Sequence, residues 1–184
     1  MSKLMIASDL HGSGFYTEKL VAAYHREQPD KLLLLGDILY HGPRNDLPAE
    51  YDPKRVIALL NPLAEQILCV RGNCDSEVDQ MVLDFPLMGD YALVLAGATR
   101  LFLTHGHKYG ADTPPPLAKG DVLLQGHTHV PTCLHQPGGW WLLNPGSVSI
   151  PKEGSPHGYM TLEDGVFYWK TVDGETWRTA PLEE

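Results

Sequence analysis

The sequence is short of basic residues, of cysteine pairs and of long apolar runs. Lys and Arg number 14 against 23 Asp and Glu in 184 residues, a formal net charge of −9 with no block of like charges. Nonspecific attachment to nucleic acid or to an anionic membrane surface draws on clustered Lys and Arg, so neither is an expected partner. The three cysteines, Cys69, Cys74 and Cys133, are an odd number without Cys-x-x-Cys spacing. A chain of this size needs no disulfide scaffold, so a reducing compartment is the default. No run of about 18 apolar residues occurs, and Asp9 interrupts what would have to be the apolar stretch of a signal peptide starting at Met1. A cytoplasmic protein without a membrane span is expected. Internal repeats and low-complexity tracts are also missing. What remains is room for one domain, residues 1–184, whose 43% apolar content suffices for an ordinary core.

The first half alternates short apolar runs with helix-period segments, the pattern of strands joined by crossover helices. Residues 4–8, 32–35 and 67–70 read as buried strands. Between them Tyr16, Leu20, Val21 and Tyr24 share one helical face, as do Val56, Ile57, Leu60 and Ala64 within 53–66. Asp52-Pro53 supplies that second helix with an N-cap and a proline at its first position. Strand candidates then crowd together at 82–87, 91–96, 99–104, 122–125, 140–144, 157–162 and 166–172. Asp164-Gly165 reads as a tight hairpin turn, and Pro114-Pro115-Pro116 as a stiff loop. A βαβ half followed by a β-rich half predicts an α/β (α+β) domain built on two packed sheets with helices outside them.

The chemistry lies where Asp, Asn and His fall relative to strand ends. Asp9 and His11 follow the first strand, Asp37 the second and Asn73 the third; His105 follows a later one, and His127 with His129 ends another. Five strand exits each deliver a metal-type ligand, usually beside a glycine, and strand ends are where ligand sites form in α/β sheets. Each residue alone also fits a turn or cap; their ordered repetition does not. Asp-x-His and His-x-His each put two side chains on one side of an extended segment, because side chains repeat with period two there. Asp37 can bridge two ions, and Asn73 offers a neutral oxygen. Oxygen and imidazole donors without thiolate predict two divalent cations, manganese first, with iron, zinc, cobalt or nickel as alternatives.

The order Asp9-x-His11, Gly36-Asp37, Gly72-Asn73-Cys74-Asp75, His105, Gly126-His127-Thr128-His129 resembles the calcineurin-like metallophosphoesterase superfamily over about two thirds of the chain. Together with Thr104-His105-Gly106-His107 and Asn144-Pro145-Gly146-Ser147 it is similar to the small bacterial phosphodiesterase branch. The resemblance implies a four-layer αββα sandwich of two mixed sheets flanked by helices. It also implies one metal on Asp9, His11, Asp37 and His129 and another on Asp37, Asn73, His105 and His127. The implied activity is hydrolysis of a small phosphodiester by a metal-bridging hydroxide. Two ions roughly 3.5–4 Å apart clamp the phosphate and lower the pKa of the water between them. A phosphomonoesterase on the same site and a non-catalytic scaffold of the same fold are the alternatives.

One departure concerns the position after Asn73. Much of the superfamily has a histidine there that contacts the phosphate or helps the leaving group depart; this chain has Cys74. Asn73 and Cys74 are catalytic candidates, Cys74 reading equally as a packed apolar residue. His107 is a second candidate proton donor or a packing residue. In the segment after Asp37, His41 and Arg44 are substrate-contact candidates. Trp140-Trp141 and the last strands serve either as core or as a contact in a homo-oligomer.

Overall fold

The computed structural model describes residues 3–181, so the signal-peptide reading at Met1 and Ser2 lies outside the described residues. The first half forms β1 (Leu4–Ala7), α1 (Gly14–Glu27), β2 (Lys31–Leu34), α2 (Pro53–Leu60), a 3-10 turn at Asn61–Gln66, β3 (Ile67–Cys69) and α3 (Glu77–Gln80). Eight further strands follow: β4 (Tyr91–Ala96), β5 (Thr99–Thr104), β6 (Val122–Leu124), β7 (Thr132–His135), β8 (Trp141–Asn144), β9 (Gly158–Glu163), β10 (Val166–Thr171) and β11 (Thr176–Pro181).

Both sheets are mixed. One runs β11-β10-β9-β1-β2-β3 with β1, β2 and β3 parallel, and the other β4-β5-β6-β8-β7 with β5, β6 and β8 parallel. Alternation along β1 sends Leu4 and Ile6 to the seam between the sheets, where Leu33, Leu35, Leu101, Leu103, Val122, Leu124 and Trp169 meet them. Met5 and Ala7 point the other way, toward Leu20, Ala23, Val56 and Leu60 of α1 and α2. α1 starts where the Ser13 hydroxyl accepts from Tyr16 N–H, and α2 starts on Asp52 with Pro53 inside its first turn, as read from the sequence. The outer face of the five-stranded sheet is closed by the irregular segment 105–121, whose Leu117 packs on Phe102, Leu123, Trp140 and Leu142. The second outer layer of the sandwich is therefore loop.

Three strand assignments differ from expectation. Residues 82–87 are not a strand, although Leu83, Phe85 and Leu87 are buried in alternation. Val82 and Leu83 N–H donate to Asp79 O, and side chains satisfy much of the rest: the Gln80 amide donates to the carbonyls of Leu83 and Phe85 and accepts from Leu87 N–H, and Asn61 accepts from Asp84 N–H. Pro86 has no N–H to give a neighbour. Conversely, β7 and β11 are edge strands absent from the sequence reading, because TCLH and TWRTAP are half exposed and lack an apolar run. The Asp164-Gly165 turn joins β9 to β10 with both residues at positive φ (51° and 78°), as a tight hairpin requires.

Candidate active site

All seven expected ligands converge at the carboxyl ends of β1, β2, β3, β5 and β6, across the seam between the sheets. The convergence does not come from extended backbone. Asp9 (φ 58°), His11 (47°), Asp37 (56°), His127 (66°) and His129 (61°) are left-handed, so Asp9-x-His11 and His127-x-His129 turn their side chains inward by kinks rather than by strand period. Such conformations persist in residues other than glycine only where the surroundings enforce them. Here backbone bonds do so: Asp9 N–H donates to Gly36 O at 3.1 Å and His11 N–H to Asp37 O at 2.9 Å, locking the first two exits together. The hydroxyls of Ser147 and Ser149 donate to Asp9 O at 2.8 and 3.0 Å.

The imidazoles are oriented from behind. Nδ1 of His11, His105 and His129 donates to the carbonyls of Tyr40 (2.8 Å), Leu35 (2.7 Å) and Ile150 (2.6 Å). With Nδ1 carrying the proton, each Nε2 presents a lone pair to the cluster. Nε2 of His11 lies 3.2 Å from Nε2 of His129, Nε2 of His105 lies 3.3 Å from Nδ1 of His127, and Asn73 Oδ1 is 3.0 Å from His105 Nε2. His11 and His129 stand 3.6 and 3.3 Å from Asp9 Oδ1, and His11 and His105 stand 3.6 and 3.3 Å from Asp37 Oδ2. Lone pairs facing one another at these distances, with Asp9 Oδ1 buried and unpartnered, form a donor set that a cation completes. Asp9, His11 and His129 form one compact group, and Asp9, Asp37 and His105 another.

The field points the same way. Burial opposes ionisation of Asp9, yet His11 and His129 beside it hold its carboxyl well below the usual range. Burial likewise disfavours charged His105, but Asp37 and Asp9 outweigh it and lift that imidazole to about 9, so that a proton held at Nε2 stands where a divalent ion would displace it. The site favours positive charge at its centre.

Asp75 went unassigned in the sequence reading, although it ends the Gly-Asn-x-Asp motif. Buried at 3% exposure, its carboxylate accepts from the N–H groups of Asp37 (2.8 Å), Ile38 (2.8 Å) and Gly72 (2.7 Å). Burial raises its pKa, against those three donors. It clamps the exits of β2 and β3 in register and aims Asp37, whose Oδ1 in turn accepts from Cys74 N–H at 2.8 Å. A Cβ at Gly72 would overlap the Asp37 carboxylate, so only glycine fits there.

A cavity of about 470 Å³ opens over the cluster, lined by Asp37, Asn73, Cys74, His127, His129 and Arg44 among others, Thr128 and Lys152 included. Arg44 lines the cavity, and so does Lys152, which no motif announced. His41 does not line the cavity: its ring stands edge-on to Tyr40 and Tyr51 at 4.8 and 5.2 Å. His107 does not line it either. It packs behind His105 and His127, at 5.4 and 6.3 Å between ring centroids, where burial and those two imidazoles push its pKa down to about 4. Cys74 does line the cavity, and burial followed by the Asp37 charge pushes its thiol up to about 12.

Two mixed sheets meeting at a buried Asp and His cluster define a phosphoesterase fold. The chain belongs to the calcineurin-like phosphoesterase superfamily, whose domain model matches residues 2–164. It is 49% identical over 166 residues to phosphodiesterase YfcE of Escherichia coli (strain K12), covering 90% of each chain. The solved structure of Yfce, a phosphoesterase from E. coli, superposes with a TM-score of 0.94 at 45% identity, over 98% of this chain and all (100%) of that one. The probable metallophosphoesterase YsnB of Bacillus subtilis (strain 168) is 26% identical, covering 88% of this chain and 85% of its own. Vps29 of Chaetomium thermophilum shares the fold, with a TM-score of 0.60 at 15% identity over 98% of this chain and 95% of that one.

Proposed function

We propose that the protein is a metal-dependent phosphodiesterase with a dinuclear site, acting on a small phosphodiester. The carrying observation is the set of three Nδ1-to-carbonyl hydrogen bonds that turn His11, His105 and His129 Nε2 toward two buried carboxylates. Asp9, His11 and His129 with Asp37 would hold one divalent ion, and Asn73, His105 and His127 with Asp37 the other. Manganese suits these oxygen and imidazole donors. Bound there, the ions supply Lewis acidity toward phosphoryl oxygens and toward the attacking water.

The protein's own groups do the remainder. Asp75 holds Asp37 in its bridging place, and Arg44 and Lys152 draw an anionic phosphoryl group into a cavity on a chain that is otherwise net negative. Asn73 is exposed at the mouth and offers its amide to the phosphoryl group as well as its oxygen to the cluster. Cys74 is a neutral thiol and a weak donor, so a leaving group near it departs with little proton assistance. That favours aryl diesters over monoesters. His107, behind two ligands and outside the cavity, is a positioning residue for His105 and His127. The 1–184 chain is read as one domain in the bacterial cytoplasm, working without nucleic acid. Three free cysteines and a net charge of −9 without a basic block favour that reading.

The test is hydrolysis of an aryl phosphodiester by protein stripped of metal and reconstituted with Mn²⁺, with the ions counted. About two ions per chain and Mn-restored turnover are expected. Two bound ions without diester hydrolysis would sink the proposal.

A further inference from the structure

A second cavity, of about 350 Å³, lies on the other side of Cys74, lined by Leu39, Tyr40, Tyr51, Pro53 and Val78, with Ser76 and Asp79 at one wall. Cys74 borders both cavities. We propose that this second cavity is a subsite for one ester arm of the substrate, an apolar arm without negative charge, a flat aryl group fitting best. The proposal rests on the phosphodiesterase reading and names what that reading leaves open, the chemistry of the arm.

The two sides of Cys74 differ in kind. Toward the metal cluster the cavity carries Arg44 and Lys152 at its mouth, suited to anionic oxygens. Across Cys74 no Lys, Arg or His lines the wall, and two tyrosines, a leucine, a proline and a valine do. Its polar groups are engaged with one another: Ser76 N–H and Oγ–H both donate to Asp79 Oδ2, at 2.8 and 3.1 Å. The Asp79 charge repels an anionic arm, and the tyrosine and aliphatic walls gain from covering an aromatic one.

The subsite is held in register with the metal cluster. Tyr40 O accepts from His11 Nδ1, so the residue forming one wall also orients a ligand. Tyr51 bridges to Ser13, Asp52 N–H donates to Gly12 O at 2.8 Å, and Gly14 N–H donates to Glu50 O at 2.9 Å. The opposite wall is thereby pinned to the loop that carries Asp9 and His11. The separation between scissile phosphate and arm is fixed, which is what a specificity subsite needs. Cys74 is common to both linings, and its sulfur lies against Gly42, where a Cβ would approach to 3.1 Å.

The experiment compares phosphonates of one arm each, methyl, phenyl and 4-carboxyphenyl, binding to the Mn-loaded protein by calorimetry. Hydrolysis of an aryl phosphodiester is measured on the same preparation. Phenylphosphonate should bind about tenfold more tightly than methylphosphonate, and the added carboxylate should erase that gain. Val78→Glu and Tyr40→Ala, both at exposed positions (67% and 42%), should each reduce the phenyl advantage to about threefold or less with metal content unchanged. Leu95→Glu, on an exposed face outside both cavities, should keep it. Equal binding of phenyl and methyl by the parent protein, or an advantage that survives both cavity variants, overturns the subsite. Absence of diester hydrolysis overturns the phosphodiesterase reading instead, and the phosphonate comparison still decides the subsite by itself.

Discussion

Two polar clusters sit at opposite ends of β1, and they are built on opposite plans. Lys3 enters the strand beside Glu27, the last residue of α1; the Glu27 carboxylate meets Lys3 (2.8 Å), Lys170 (2.7 Å) and the Tyr159 hydroxyl (2.8 Å). Every strong donor there has an acceptor, and Glu27 is held down at about 2, burial opposing and the two lysines prevailing. Asp9 leaves the strand into a cluster where lone pairs face lone pairs and one carboxylate oxygen has no partner. The first cluster is complete within the polypeptide; the second is complete only with cations. A buried polar group normally finds its partner inside the fold, so the difference itself separates a structural network from a functional one.

The sharpest way to break this contrast is Asp37→Asn, which removes the charge shared by both halves of the open cluster. Activity should fall on the order of 10³-fold, with loss of at least one of two ions per chain; full activity with an unaltered metal count would overturn the ligand set. Chelation comes next. If the open cluster is closed by metal, stripping the ions should lower Tm by about 10 °C, since a ligand at about 1,000 times its Kd contributes about 4 kcal/mol. A calorimetric scan with and without chelator reads this, and an unmoved Tm would mean that the cluster closes without cations. Third, Cys74→His adds a proton donor while leaving all seven ligands in place. It should shift the monoester-to-diester ratio of kcat/KM by about 10²-fold toward monoesters. Gly42 against the sulfur limits the room, so Cys74→Ala serves as the partner variant. Identical ratios in all three metallated proteins would leave Cys74 a packing residue.

The smallest effect belongs to the closed cluster. A carboxyl whose folded pKa lies below its unfolded one stabilises fully above the unfolded value and loses that contribution as pH falls through the folded one. For Glu27 the window runs from the ordinary glutamate value of about 4.5 down to about 2. Glu27→Gln should therefore cost about 1–2 kcal/mol at pH 7, reduced by solvent screening of the lysines, and nothing near pH 2. Thermal melts of both proteins across that range check it; a gap that widens on acidification would reverse the assignment.

The proposed ligand set was legible in the sequence because a donor at each of five strand ends is a coincidence of position, and strand ends can be read from short apolar runs. The way they converge was not, since left-handed backbone at Asp9 or His129 depends on bonds from Gly36 or neighbouring loops distant in sequence. Asp75 escaped for the same reason: its role lies in three backbone N–H groups, two of them 37 and 38 residues away. Residues 82–87 were misread because alternation reports burial and says nothing of what satisfies the backbone. Lys152 lies in a loop, and the apolar cavity gathers loop residues with Pro53 of α2 and Val78 and Asp79 of α3, too few from any one element to carry a period.

The left-handed residues bear on any attempt to move this chemistry elsewhere. Five of the nine residues other than glycine with positive φ among those described are proposed ligands, and each is Asp or His, types that enter this conformation more readily than most. Glutamine and glutamate fill three of the other four positions, Gln28, Glu50 and Glu153, so at the ligand kinks a replacement would have to match the reach of Asp and His as well as the backbone. A designer who grafts the seven side chains onto idealised strands and helices, which avoid positive φ by rule, would copy the donor list and lose the geometry. The transferable unit is the set of kinked strand exits together with Asp75, which holds two of them in register.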